Sequence, residues 1–215
     1  LQNNYAILLM GSEKLTEALS HIERAVQLNS NYAAVYSARS KIQLYLLNVD
    51  AACADKSIAT NFGYRNVFDI PDSVCKGSPR LKMEFAAGVC AGSNLYSQAI
   101  KAYSNLIDDN SLKSDYFLNR GYCYYQLKDY ANAEKDYLKA LEYPNAAKEM
   151  VYGNLSLLYS DQRNFMKSIE YDTRRIALNP RNHVAYIDRG LAYRKLKKYK
   201  EAEKDFNASL EIKPD

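Results

Sequence analysis

The chain has no tryptophan, only two histidines, and no apolar run of membrane length. His21 and His183 stand far apart, so neither a two-histidine metal site nor a zinc spacing with neighbouring cysteine and aspartate can form. The same scarcity removes nucleophilic triads, because no serine or cysteine can collect a histidine and a carboxylate from one neighbourhood. The densest early apolar stretch, residues 6–10, falls far short of the roughly 20 residues that cross a bilayer. An excess of one charge sign is also lacking: 29 basic against 25 acidic residues leave +4. These charges are well interspersed, which argues against nucleic acid and membrane surfaces as partners. Cys53, Cys75, Cys90 and Cys123 form no C-x-x-C pair, and three of them fall in helical patterns where a small apolar side chain packs well. They read as buried free thiols, which tips the compartment toward a reducing, cytoplasmic one.

Tyrosine, by contrast, occurs 20 times, and its spacing carries the organisation. In residues 183–215, Tyr186, Gly190, Tyr193, Tyr199, Ala202, Phe206 and Pro214 place aromatic and small residues at helical intervals on two successive segments. A basic turn separates the segments. This helix-turn-helix unit resembles the tetratricopeptide repeat. The resemblance implies an all-α fold, a right-handed α-α superhelix (solenoid) of stacked hairpins. In such an array Gly121, Gly190, Ala133, Ala202 and Ala140 let two helices approach, while Tyr124, Tyr130, Tyr193 and Tyr199 fill the space beside them. Each hairpin leaves an apolar face that the next one buries.

The remaining chain reads as rougher copies of the same unit, six in all. The first, residues 1–31, has Ala6, Ala18 and Ala25 in its small slots and turns at Gly11 and Ser12; it opens in mid-repeat, as an excised fragment would. The second runs over about 32–66, with Tyr36, Ser40, Ala52 and Ala59 in register. Residues 67–79 then interrupt the period, carrying Pro71, Gly77 and Pro79, and Ser78 with Pro79 forms an N-cap and first helical residue that restart it. The third repeat uses Ala87, Cys90, Tyr96, Ala99 and Tyr103 and ends near Asn110. The fourth, 114–148, is one residue longer than its neighbours, an excess assigned to 145–147. The fifth, 149–182, has Ser156 and Ser168 in small slots and Arg175 in the last one. The organisation is therefore 1–66 for repeats one and two, 67–79 for an insertion or linker, and 80–215 for repeats three to six. The insertion either bends the array or folds toward its groove as a built-in ligand.

In the family this chain resembles, the first helix of each hairpin lines a concave groove, and the residue just before the small slot points into it. Those positions are Asn4, Ala38, Phe85, Asn119, Asn154 and Asp188. Asn119, Asn154 and Asp188 make a short polar ladder, similar to the asparagine ladder on O-linked N-acetylglucosamine transferases, and an asparagine both donates to and accepts from a peptide backbone. Leu118, Tyr122, Tyr125, Met150, Leu157, Ile187 and Leu191 are expected to project toward the same groove as apolar anchors. Arg194, Lys195, Lys197 and Lys198 form a basic turn patch, either solvated or facing an acidic segment. The carboxylate clamp of co-chaperone arrays is not matched, since its lysine and asparagine positions hold Leu118, Tyr122, Gly153, Leu157, Glu84 and Gly88. An RNA-reading array is disfavoured by the near-neutral inner face.

Gly88 and Gly92 suggest close helix packing, and the acceptor patterns at Asn154 and Asn207 sit within expected helices. The reading is a scaffold that binds a peptide segment of a partner protein in its groove, with no catalysis and no cofactor. The alternative is a substrate-recognition or regulatory arm of a larger enzyme or chaperone complex. Uncapped terminal repeats also allow self-association.

Overall fold

A computed structural model describes residues 6, 9, 14–65, 67–109 and 113–214, and among them every regular element is an α-helix. Asn4, Gly11, Ser12, Asn66 and Asn110 lie outside the described residues. Two compact units, Leu1–Ser111 and Leu112–Asp215, make up the chain. The first holds α1 (Leu15–Leu28), α2 (Ala33–Tyr45), α3 (Val49–Asn61), α4 (Asp72–Cys75), α5 (Pro79–Gly92) and α6 (Tyr96–Asp108). The second holds α7 (Ser114–Gln126), α8 (Tyr130–Leu141), α9 (Lys148–Asp161), α10 (Phe165–Leu178), α11 (His183–Lys195) and α12 (Tyr199–Ile212). Successive helices pack as antiparallel pairs: α2 with α3, α5 with α6, α7 with α8, α9 with α10 and α11 with α12.

The five turns inside these pairs, residues 46–48, 93–95, 127–129, 162–164 and 196–198, share one solution. The middle residue of each, Leu47, Asn94, Lys128, Arg163 or Lys197, has a left-handed φ between 59° and 66°. The next residue donates its N–H five residues back, as Asp129 does to the Tyr124 carbonyl at 2.9 Å and Lys198 to that of Tyr193 at 3.0 Å. That is the Schellman arrangement, which satisfies carbonyls that a helix end would leave open. Second helices then start on side-chain caps where one is present: Asp129 accepts from the Asn132 N–H at 3.2 Å and Asn164 from Lys167 at 3.3 Å. Ser78 caps α5 through the Leu81 N–H at 3.2 Å, with Pro79 as its first residue. The longer link from Leu141 to Lys148 accommodates the extra residue of the fourth repeat outside any helix.

Residues 67–79 pack onto the first unit through a few side chains. Ile70 and Val74 are buried with Leu44, Val49, Ala52 and Ala86. The Phe68 N–H donates to Ser37 Oγ at 3.2 Å, and Lys56 Nζ donates to the Ile70 carbonyl at 2.5 Å and to Asp72 Oδ1 at 2.8 Å. Ala38 and Phe85, expected to be open groove positions, pack against the two core clusters of this unit. A disulfide joins Cys53 on α3 to Cys75 on α4. This corrects the expectation of four free thiols, which holds for Cys90 and Cys123 alone. The pairing has no local spacing to announce it, because the partners lie 22 residues apart and meet only when the insertion folds back on α3. With it goes the argument from cysteine usage for a reducing compartment.

The small slots of the second unit work by contact. A Cβ on Gly121 would sit 2.8 Å from the Tyr137 ring, and one on Gly190 would sit 2.7 Å from Phe206. Gly88 and Gly92 behave differently: a Cβ on either meets nothing within 4 Å, so their spacing does not mark close packing. Sixteen residues also separate the partners of three bidentate ion pairs, Arg39–Asp55, Arg120–Asp136 and Arg189–Asp205. Each ties the two helices of its hairpin through two N–H···O bonds of 2.6–2.8 Å.

Candidate functional site

Hairpin α9/α10 departs from that scheme. At the positions where Gly121 meets Tyr137 and Gly190 meets Phe206 it has Ser156 and Asp172. Ser156 Oγ donates to Asp172 Oδ2 at 2.5 Å and lies 3.0 Å from Ser168 Oγ, all within the hairpin interior. Asp172 is fully buried, and burial pushes its carboxyl up to about 7, with Asp188 adding to the rise and Ser156, Arg175 and Arg189 opposing it. Arg175 stands where α7/α8 has Ala140 and α11/α12 has Ser209, and its guanidinium lies over Gly153, 3.2 Å from where a Cβ would be. A Cβ there would need the guanidinium to shift by a few tenths of an ångström. Arg175 Nη1 donates to Asp188 Oδ2 at 2.9 Å and is 3.9 Å from Asp172 Oδ1. Arg175 Nε and Asp172 Oδ1 are both buried without a hydrogen-bond partner.

This polar seam floors a concavity of about 410 Å³ lined by α9, α10 and α11. Gly153, Ser156, Ser168 and Arg175 form the floor, with Asn154 and Ser160 beside them. Met150, Leu157 and Leu191 rim it, and they are 59%, 51% and 37% exposed. Large apolar side chains left open around a polar floor are the usual make-up of a binding surface.

The expected groove residues divide accordingly. Asn154, Leu157, Asp188 and Leu191 line this one concavity together with Met150. Asn119 is exposed on α7, and Tyr122 is 41% exposed there. Tyr125 is engaged in holding helices together, its hydroxyl donating to Asp161 Oδ2 at 2.6 Å. Leu118 is corrected: it is 4% exposed and part of the packed interior. Register alone does not bury it, since Ile187 holds the same place before Gly190, so what packs over α7 from outside the repeat pattern decides the outcome. Ile187 is partly open at 37%. In the basic turn Arg194 and Lys195 close α11, and Lys197 and Lys198 lie in the turn, all four exposed. They are remote in the chain from the floor of the concavity and do not line it.

Asp172 was missed by the sequence reading, and with it the seam. The signal was present as an interval: Gly121 with Tyr137 and Gly190 with Phe206 repeat the separation that pairs Ser156 with Asp172. Among the described residues no group of three or more His, Cys, Asp or Glu could hold a metal ion, and no helix is long and apolar enough to cross a membrane.

Comparison with known proteins gives a consistent picture. Sequence models of the tetratricopeptide repeat match residues 91–147 and 183–215. Human tetratricopeptide repeat protein 16 is 23% identical over 214 residues, covering 94% of this chain and 24% of that protein. Human serine/threonine-protein phosphatase 5 is 32% identical over 91 residues, 42% of this chain and 18% of the enzyme. The chain thus spans about a quarter or less of these curated relatives. Among solved structures, YrrB, described as a TPR protein with an unusual peptide-binding site, superposes with a TM-score of 0.58 at 15% identity, covering 90% of this chain and 93% of its own. MamA superposes at 0.59 and 17% identity over 84% and 91% of the two chains. At these identities the superpositions establish the fold.

Proposed function

We propose, from the premise that this chain belongs to the tetratricopeptide repeat family and shares its role as a protein–protein interaction scaffold, that it binds a peptide segment of a partner protein in the concavity of α9, α10 and α11. The observation that carries this reading is the convergence of Met150, Leu157 and Leu191, three exposed apolar side chains, on Asn154 and a polar floor. An extended segment would set its backbone against Asn154 and its side chains among the apolar residues. In the first unit the insertion packs against Leu44 and Phe85 instead. YrrB supports the reading as a peptide-binding protein of the same fold. The match to a phosphatase supports a second use of the same surface, as a regulatory arm joined to an enzyme.

A photo-crosslinking residue at Leu157, compared with one at Leu138 on α8, tests the site in the full chain. Leu138 is similarly exposed, at 41%. The expected result is a partner peptide captured from position 157 and not from 138, with the crosslink mapped by mass spectrometry. Equal capture from both positions would reject the concavity as the site.

A further inference from the structure

The seam beneath the concavity identifies the chemistry of the segment it takes; this step rests on the groove reading above. Two carboxylates, Asp172 and Asp188, face one guanidinium, Arg175. The charge open to the concavity is mainly that of Asp188, whose side chain is 42% exposed against 17% for Arg175. An acidic ligand group would meet Asp188 at the rim. A basic one would lay its methylene stem on Met150, Leu157 and Leu191 and bring its charge to Asp188, the arrangement that long cationic side chains favour.

Two buried atoms without partners lie behind this ion pair. Arg175 is held by Asp188 at 2.9 Å, and the cost of that engagement is that its Nε and the Oδ1 of Asp172 remain unpaired, with Nη1 still 3.9 Å from that oxygen. A cation arriving at Asp188 releases Arg175 toward Asp172, where Nε and Nη1 can both be used. We propose that the concavity takes a lysine or arginine side chain of the bound segment, which pairs with Asp188 and hands Arg175 over to Asp172.

The handover has a proton attached. In the free protein Asp172 faces Ser156 of α9, Ser168 and Arg175 of its own helix, and Asp188 and Arg189 of α11, and its carboxyl stands at about 7. Closer pairing with Arg175 favours its ionised form, so binding releases a proton. Affinity therefore strengthens as pH rises to about 7 and levels off above it.

The test is selection of the full chain against a displayed library of random linear peptides, with Leu157→Asp as the control that abolishes groove binding. Selected peptides are expected to share a lysine or arginine at one position. Replacing that residue by norleucine should weaken binding about tenfold, Asp188→Asn should do the same, and the two changes together should add nothing further. For a selected peptide without histidine or acidic residues, Kd should rise up to about tenfold per pH unit below 7, and both Asp172→Asn and Arg175→Gln should flatten that slope. Peptides that bind through Leu157 but show no basic position would overturn the inference and leave the groove reading intact. No selection above background, or selection indifferent to Leu157→Asp, would overturn both. A pH-independent Kd in the unaltered chain would refute the handover.

Discussion

Hairpins α7/α8 and α9/α10 share one turn geometry and one sixteen-residue interval between facing positions, yet they bury opposite chemistry at adjacent sites. In α7/α8 the ion pair is Arg120 with Asp136, and the next position sets Gly121 against Tyr137. In α9/α10 the ion-pair positions hold Leu155 and Tyr171, both buried, and the next position holds Ser156 and Asp172. Hairpin α11/α12 returns to the first pattern with Arg189–Asp205 and Gly190–Phe206. The fold therefore demands that facing positions be complementary; it does not fix which of two adjacent layers is polar. One residue is about 100° around a helix, and that shift carries the polar pair from the side of the hairpin to beneath the concavity.

The comparison breaks most visibly at the ion pair. Arg120→Leu strands Asp136, which is 4% exposed, and should cost about 4 kcal/mol. Adding Asp136→Tyr copies the Leu155/Tyr171 solution and should restore most of the loss in urea unfolding. A double variant as unstable as the single one would mean that the two layers are not interchangeable. The counterpart in α9/α10 is set by pH. Asp172 is favoured in its protonated form when folded, its carboxyl standing at about 7 against an ordinary value near 3.8. Between those values the folded chain holds a proton that the unfolded chain has released, so stability falls as pH rises from about 4 to 7, by about 3–4 kcal/mol. Asp172→Asn should remove this slope; a slope that survives belongs to other groups.

Glycine sharpens the contrast on a smaller scale. Gly121→Ala drives a Cβ into the ring of Tyr137, which is 1% exposed and has nowhere to go, at a cost of about 1–3 kcal/mol. Gly153→Ala meets only the end of the Arg175 side chain at 3.2 Å, which can move, and should cost less than about 1 kcal/mol. Equal losses in thermal melts would mean that Arg175 is as fixed as Tyr137.

The hairpins, their turns and most of their small slots were legible in the sequence because they follow from helical periodicity and residue size. Ala133, Ala140 and Ala202 fall where that pattern puts them, each buried. The same pattern brought Asn154, Leu157, Asp188 and Leu191 to one surface. It failed where a neighbour outside the pattern decides the outcome. Leu118 has groove spacing but faces the interior, and Cys53 meets Cys75 only through the fold of the insertion. Asp172 is hidden for another reason: an acidic residue on a helix reads as solvated unless the facing position, here Ser156, is considered with it.

The smallest effect concerns what the hairpins have in common. Lys128, Arg163 and Lys197 each hold a left-handed φ near 60° in the turn between helices. A side chain with a Cβ pays about 1–2 kcal/mol in that region, whereas glycine is unstrained there but loses more freedom on folding. The two terms nearly offset, so a glycine at any of these three positions should stabilise by about 0.5 kcal/mol, a rise in Tm of about 1–2 °C. Asn94 holds the same φ but tolerates it through its own short polar side chain, so Asn94→Gly should gain less. If the turns are independent of what lies in the seam, Arg163→Gly gains as much as Lys128→Gly and Lys197→Gly. A gain at 163 that is absent or reversed would show that the polar pair of α9/α10 strains its own turn, and that hairpin would then differ from its neighbours in its backbone as well as in its side chains.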